Sequence, residues 1–428
     1  MAHPSCLPVL IIGAGAAGLA AARTLHAAGQ PFELLEAAAQ VGGRLRTTRH
    51  PEGFLLDHGF QILLTSYPEA RRWLGPDFAG LDLRAFRSGA RVRVGLEWRT
   101  VLNPLAEGVG ALRHLGGGLS TWPDRWRLVR LAAFVARTSD AALLAHAPRQ
   151  TAGQFLRAYG FSEQIITHFF GPFFGGVFLD RTLRAGTGLL LFLFKQFLTT
   201  AAALPAAGIQ AVATALAAPL PAGAIRVNSP VERLDGLTAV LATGEQRRGR
   251  AVIVAVEAGA AARLLGQPAP APGSWRATTV AYYAAPAAGP LGAEALLMLA
   301  PTTPPDTGLV HNVAVPSAVQ PGYAPAGQAL ISVSSHGPAA LALATAAALD
   351  AALRPELGAW FGADAVASWR CLGTYRLPHA LPVTPEPPGT TRVARPGVWV
   401  AGDHIAYPSL NAALGSGRLA AEAVLGAG

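Results

Sequence analysis

Three glycines near the start constrain this chain more than any other feature. Residues 10–25 read LIIGAGAAGLAAARTL. An apolar run over 7–12 ends at Gly13, and Gly15 and Gly18 follow in the order G-x-G-x-x-G. An alanine-rich stretch over 16–28 continues from them. The pattern predicts a buried strand, a tight turn and a helix, and residues 32–36 (FELLE) supply a second strand to complete a βαβ unit. Glu36 closes that strand 18 residues after Gly18, near the spacing of about 20 at which an acid meets a ribose. Gly13 allows the sharp turn, Gly15 lets backbone approach a pyrophosphate, and Gly18 lets the helix pack on the strand. The first helical turn, with Ala14 and Ala17 beside it, offers unpaired N–H groups to phosphate. A plain strand–turn–helix is the competing reading, and the acid at the strand end favours a dinucleotide.

Composition narrows the class. The chain has 428 residues, 51% of them hydrophobic, enough for two or three domains. The net charge of +9 comes almost wholly from scattered arginines; Lys195 is the only lysine. Without basic runs interleaved with aromatics, a nucleic-acid surface is not expected, whereas peripheral contact with an anionic membrane fits the charge. Cys6 and Cys371 are too few and too far apart for a disulfide framework or a zinc site. The N-terminal apolar run is too short for a signal peptide, which predicts a cytoplasmic protein, peripheral to a membrane at most. The long apolar segment 186–208 is broken by Lys195 and Gln196, so it reads as a buried or interfacial helix and not as a span.

Further strands are expected at 225–236 with 239–245 as a hairpin, at 250–256, and at 397–402 before a last helix over 415–426. Those at 9–12, 32–36, 252–256 and 398–401 suit one sheet. Residues 278–284, 309–315 and 329–334 suit a separate one, and 100–205 is mostly helical. The fold class is therefore α/β. A discontinuous Rossmann-like domain (1–75, 210–265 and 395–428) carries an inserted α+β substrate domain (76–209 and 266–394).

Three more segments decide which dinucleotide. AAAQVGGRLRT (37–47), LLDHGFQIL (55–63) and VWVAGDHIAYPSLNAALGSGRLAAEAVL (398–425), taken with the glycine turn, resemble the superfamily of flavin-containing amine oxidases and phytoene desaturases. The resemblance covers most of the chain, strongly at both ends and loosely in the middle, and it implies FAD. It further implies that Ala37, Gly42, Gly43 and Arg44 pack on the pyrophosphate and flavin, and that Gly59, Phe60 and Gln61 lie beside the ring. Val231 would hold adenine through its backbone, and Gly402 and Asp403 would bind the ribityl region. Asn411, Ala412 and Ala413 would start a helix whose positive end faces the flavin pyrimidine, with Gly415 and Gly417 letting the backbone come close.

The same resemblance implies hydride transfer to flavin with little help from protein acids or bases. His58, Gln61, Tyr375 and His379 are the catalytic candidates, each with a packing role as its alternative. No second glycine fingerprint sits in a strand–helix setting, so electrons would leave to oxygen, a quinone or another acceptor. The aromatic insert (Phe169, Phe170, Phe173, Phe174, Phe178, Phe192, Phe194, Phe197) reads as a lipophilic tunnel or as ordinary core. The favoured function is oxidation of a hydrophobic, isoprenoid- or carotenoid-like substrate. An amine or porphyrinogen oxidase, and a flavin-binding protein without turnover, stay open.

Overall fold

The computed structural model describes residues 7–108, 118–147, 149–289, 291, 293–302, 308–383 and 392–427. Cys6, most of the glycine-containing stretch 107–118 and the last residues of 375–387 lie outside them.

The first sheet has six strands, in the order Ile225–Arg226, Phe32–Leu35, Val9–Ile12, Ala251–Val254, Val398–Val400, Arg392–Arg395. The first five run parallel and the last antiparallel. Parallel strands buried on both faces read as unbroken apolar runs, and VLII is one. Val9 and Ile11 face the helices Ala16–Ala27 and Leu410–Gly426. Leu10 and Ile12 face a small antiparallel sheet formed by Val231–Asp235, Thr238–Leu241 and Gln246–Arg248.

The second large sheet has seven strands: Arg370–Pro382, Trp275–Pro286, Gln328–His336, Asn312–Ala314, Leu297–Leu299, Gly89–Val94 and Glu97–Leu102. Ala281, Tyr283, Ile331 and Val333 pack one face under the helix Ala346–Phe361. Val280, Tyr282 and Leu330 pack the other against Phe54, Leu55 and Leu56. The aromatic insert forms the short helices between 152 and 178 and the helix Thr187–Thr199, joined to the core of the first sheet. No helix among the described residues is long and apolar enough to cross a membrane.

Two expectations change. Residues 225–236 are not one strand: Ile225–Arg226 joins the edge of the parallel sheet, and only Val231–Asp235 pairs with Thr238–Leu241. The last helix begins at Leu410, before the expected 415, because Ser409 caps it by accepting from the Ala412 N–H.

Candidate active site

The glycine turn is built to hold something. Gly13 has φ +101, and a Cβ there would sit 2.7 Å from the Ala255 carbonyl oxygen. A Cβ on Gly18 would overlap the Gly13 carbonyl. Both are required by the fold itself. Gly15 is different: its backbone is extended (φ −74), and a Cβ there would meet nothing within 4 Å. Its neighbour across the turn is the Gly42–Gly43 loop, bridged to it through Gly42. The helix Ala16–Ala27 starts with no side-chain cap and no acid in its first turn, so no side chain of its own occupies its first N–H groups.

Glu36 lies buried at the end of its strand. Its two oxygens accept from the N–H of Ala14 (2.6 Å) and of Ala38 (2.8 Å), which pins the carboxylate beside the turn with lone pairs left over. Ala37 is exposed beside it. Val231 starts the side sheet, paired with Leu241, and the Ser229 N–H bonds the Glu36 carbonyl, joining this region to the ribose side. These residues fit a dinucleotide: an open cradle, free helical N–H groups and an acid in reach.

Arg44 gathers the other segments. Its guanidinium bonds Asp403 (2.5 Å) and the Ala380 carbonyl (3.0 Å), while its own carbonyl accepts from the Gln61 amide (2.8 Å). Four stretches of the sequence therefore meet at one residue. Gln61 also bonds the His58 carbonyl, so it braces the turn holding Gly59 and Phe60. His58 stacks on Tyr375 with ring centroids 4.2 Å apart and bonds the Thr48 hydroxyl through Nε2 (2.8 Å). Burial, with Arg46 nearby, holds its pKa below the ordinary range, so the ring is neutral at pH 7. His379 is set apart, exposed, on Glu257 (3.2 Å) and over Trp275.

At the C-terminal helix, Ala412 and Ala413 are buried, and the Gly402 N–H bonds Ser416. The Asn411 side chain is spent on helix packing: it accepts from the Glu69 N–H and donates to the Tyr407 hydroxyl. Gly415 faces Glu69, and Gly417 faces the Ala17 carbonyl. A Cβ on Gly417 would overlap that carbonyl, so this glycine serves the close approach of the two helices, whereas a Cβ on Gly415 would meet only the Glu69 side chain at ordinary contact distance.

Sequence reasoning quoted Asp57 but gave it no role. Its carboxylate is buried and accepts from Thr47 Oγ1 (2.5 Å), the Ile209 N–H (3.0 Å) and the Tyr323 hydroxyl (2.8 Å). Desolvation pushes its pKa up to about 6 against the pull of those bonds. It ties the floor of the site together directly behind His58.

Beyond Phe60 opens a cavity of about 780 Å³. Its inner wall is Phe60, Ile62, Phe86 and Leu297; the insert contributes Phe169, Phe173, Phe174, Phe194 and Phe197; Trp122 and Trp126 stand at the lip. The lining contains arginines (Arg87, Arg125) and no carboxylate. The Lys195 ammonium is engaged by Asp140 and the Thr138 carbonyl, each at 2.8 Å.

Comparison with known proteins agrees with this architecture. The chain is 46% identical to mouse (Mus musculus) lysine-specific histone demethylase 1B over 55 residues, 13% of the chain and 7% of that protein. It is 26% identical to coproporphyrinogen III oxidase of Propionibacterium freudenreichii subsp. freudenreichii over 176 residues, 40% of the chain and 31% of that protein. The alignments thus span well under two thirds of either curated relative. Putrescine oxidase bound to putrescine superposes with a TM-score of 0.69 at 17% identity, covering 98% of this chain and 99% of that one; at that identity the likeness concerns fold alone. The family model described as flavin containing amine oxidoreductase matches residues 16–425, and the chain is a member of that family, a flavin-dependent oxidoreductase.

Proposed function

We propose that the protein binds FAD and oxidises a hydrophobic, isoprenoid- or carotenoid-like substrate held in the cavity beyond Phe60. The observation that carries this reading is the cavity wall: seven phenylalanines, two tryptophans and, among the described residues, no carboxylate. Its volume of about 780 Å³ lies in the usual range for small-molecule sites. An ammonium substrate would find no carboxylate among the described lining residues, and Arg125 would oppose it. A porphyrinogen bearing carboxylates is the second reading, favoured by those arginines. Arg87, however, is already paired with Glu107 (3.0 Å), and Arg125 lies 4.3 Å from the Trp122 ring centroid.

FAD fits the residues present. Gly13, Ala14, Gly15, Ala17 and Gly18 would hold its pyrophosphate by backbone N–H groups, Glu36 a ribose, and Gly42, Gly43 and Arg44 the stretch toward the ring. When bound, the flavin supplies a two-electron acceptor. The chain does the rest by placement: the cavity aligns an apolar substrate and excludes water, Arg44 fixes Asp403 in an ion pair, and His58 is held by its stacking on Tyr375. Loss of a hydride from one C–H bond and of a proton from the adjacent carbon, the proton passing to solvent, would leave a C=C bond. Oxygen, a quinone or another acceptor would take the electrons.

The test is anaerobic mixing of purified holoprotein with an isoprenoid hydrocarbon, a polyamine or a porphyrinogen while flavin absorbance is followed. Flavin released by acid is identified by mass. Bleaching by the isoprenoid supports the reading. Bleaching only by the polyamine or the porphyrinogen, or by none, overturns it.

A further inference from the structure

The helix Trp122–Arg137 (WPDRWRLVRLAAFVAR) has two apolar faces where a surface helix of a soluble protein needs one. Leu128, Leu131 and Val135 pack inward against the insert. On the opposite face, Trp122, Trp126 and Val129, at i, i+4 and i+7, are 77%, 71% and 52% exposed. Phe134 is exposed on the same helix, and Leu105, two residues past the cavity-lining Asn103, is exposed as well. Large apolar side chains grouped in water mark a surface meant to be covered.

The charges say by what. Arg125, Arg127, Arg130 and Arg137 flank the exposed ridge. The one acid of the helix, Asp124, is fully buried, where it accepts from the Thr121 and Ser162 N–H groups. Trp122, Trp126, Arg127 and Arg130 also line a shallow cleft on the outer side of the helix. Tryptophans on one line with arginines beside them form the pattern of a helix lying in the headgroup layer of an anionic bilayer, with aromatic rings at the acyl boundary. A second copy of this chain would bring the same arginines and a net charge of +9 against themselves.

We propose that this helix seats the protein on an anionic lipid surface, with Trp122, Trp126 and Val129 in the membrane and Arg127 and Arg130 on lipid phosphates. The same helix walls the cavity through Leu128, Val129 and Ala132, so the seated protein would open its cavity toward lipid. That last step rests on the proposed function; the seat itself does not.

The experiment is vesicle flotation of the holoprotein, with phosphatidylcholine alone and with phosphatidylcholine mixed with phosphatidylglycerol. The wild type should float with the anionic vesicles and release as salt approaches about 1 M, where screening shortens to about 3 Å. Trp122→Gln/Trp126→Gln should bind at least about tenfold more weakly. Arg127→Gln/Arg130→Gln should lose the preference for anionic lipid. Both variants should keep bound flavin and the wild-type melting temperature, since none of the four side chains is buried and none belongs to the glycine turn. A wild type that floats with neither vesicle, or folded variants that float like it, would overturn the proposal. So would a wild-type dimer that the tryptophan variant splits into monomers, because the ridge would then be an interface between copies. Binding needs no turnover, so a failed substrate assay leaves this result standing, and the reverse holds too.

Discussion

Gly15→Ala separates a glycine kept for a ligand from a glycine kept for the fold. At Gly13 and Gly18 the chain cannot carry a side chain, because a Cβ would meet backbone of the neighbouring strand or of the turn. At Gly15 the backbone is extended and the space ahead of it is open, so alanine fits without strain. Losing glycine there should stabilise the flavin-free protein by about 0.4–1 kcal/mol, since the unfolded chain gives up less freedom. The methyl group would occupy the cradle between the turn and the Gly42–Gly43 loop and push a pyrophosphate off the helical N–H groups. One hydrogen bond to a charged partner is worth roughly 1.5–3 kcal/mol, or about ten- to a hundredfold in affinity. The assay strips flavin, measures the melting temperature of the apoprotein, and titrates FAD by fluorescence. The expected result is a melting temperature at or above wild type with FAD binding weakened by that factor, while Gly13→Ala and Gly18→Ala fail to fold with or without flavin. A folded Gly15→Ala protein that binds FAD with the wild-type Kd would falsify the cradle.

Glu36→Gln keeps one acceptor for the turn but removes the charge, and should weaken FAD about tenfold, since a hydrogen bond to a carboxylate is worth roughly 1.5–3 kcal/mol; unchanged flavin occupancy after dilution and gel filtration would exclude a ribose role. Ala132→Phe narrows the cavity and should raise KM for an apolar substrate roughly tenfold, about two methylenes of lost burial, with the flavin spectrum unaltered; an unchanged KM would place the substrate elsewhere. Stability should fall on acidification. Burial first, and Arg181 among the neighbours, lowers the pKa of His311 to about 2 and of His336 to about 3 from 6.5. Both are neutral in the fold, so their stability is present above 6.5 and lost as pH falls below it, at about 1.4 kcal/mol per unit for each. Asp57, raised to about 6, has the opposite sign: its contribution returns as pH falls through 6. Two histidines outweigh one carboxylate, leaving a net loss on the order of 2 kcal/mol between pH 6.5 and 5; urea melts that are flat or rise over this range would contradict the balance.

The parts of the fold that read well from sequence are those where one local pattern has one packing solution. VLII and AVIV are apolar on both faces because helices cover one face of the parallel sheet and the small sheet covers the other. The hairpin Gly89–Leu102 was missed because it does not look buried. Arg91 and Arg93 interrupt its apolar alternation, and only tertiary partners make room for them: Arg91 bonds Glu294, and Arg93 donates to the Trp360 carbonyl. Neither partner is near in sequence, so the segment carries no local sign that its charges are satisfied. The break within 225–236 has a similar origin. Two residues, Ile225 and Arg226, suffice to extend a parallel edge, and no periodicity can be read from two residues.

The dinucleotide half of the site was legible for the same local reason: turn, helix and acid lie within 36 residues of the start. The rest of the site was not, because its defining contacts join distant segments. Arg44 reaches Gln61, Ala380 and Asp403, and Asp57 reaches Ile209 and Tyr323. The aromatic insert shows the limit most clearly. Tunnel and core were rival readings of its phenylalanines, and the structure divides them residue by residue between a cavity wall and the core. Phe173, Phe174, Phe194 and Phe197 line the cavity, while Phe170, Phe178 and Phe192, on the same run of helices, are buried in the core and absent from that lining. The side chain is the same in every case. Only its position around the helix decides, and Phe169 and Phe173 take theirs against Val92 and Val101 of the hairpin Gly89–Leu102, whose strands the sequence had concealed.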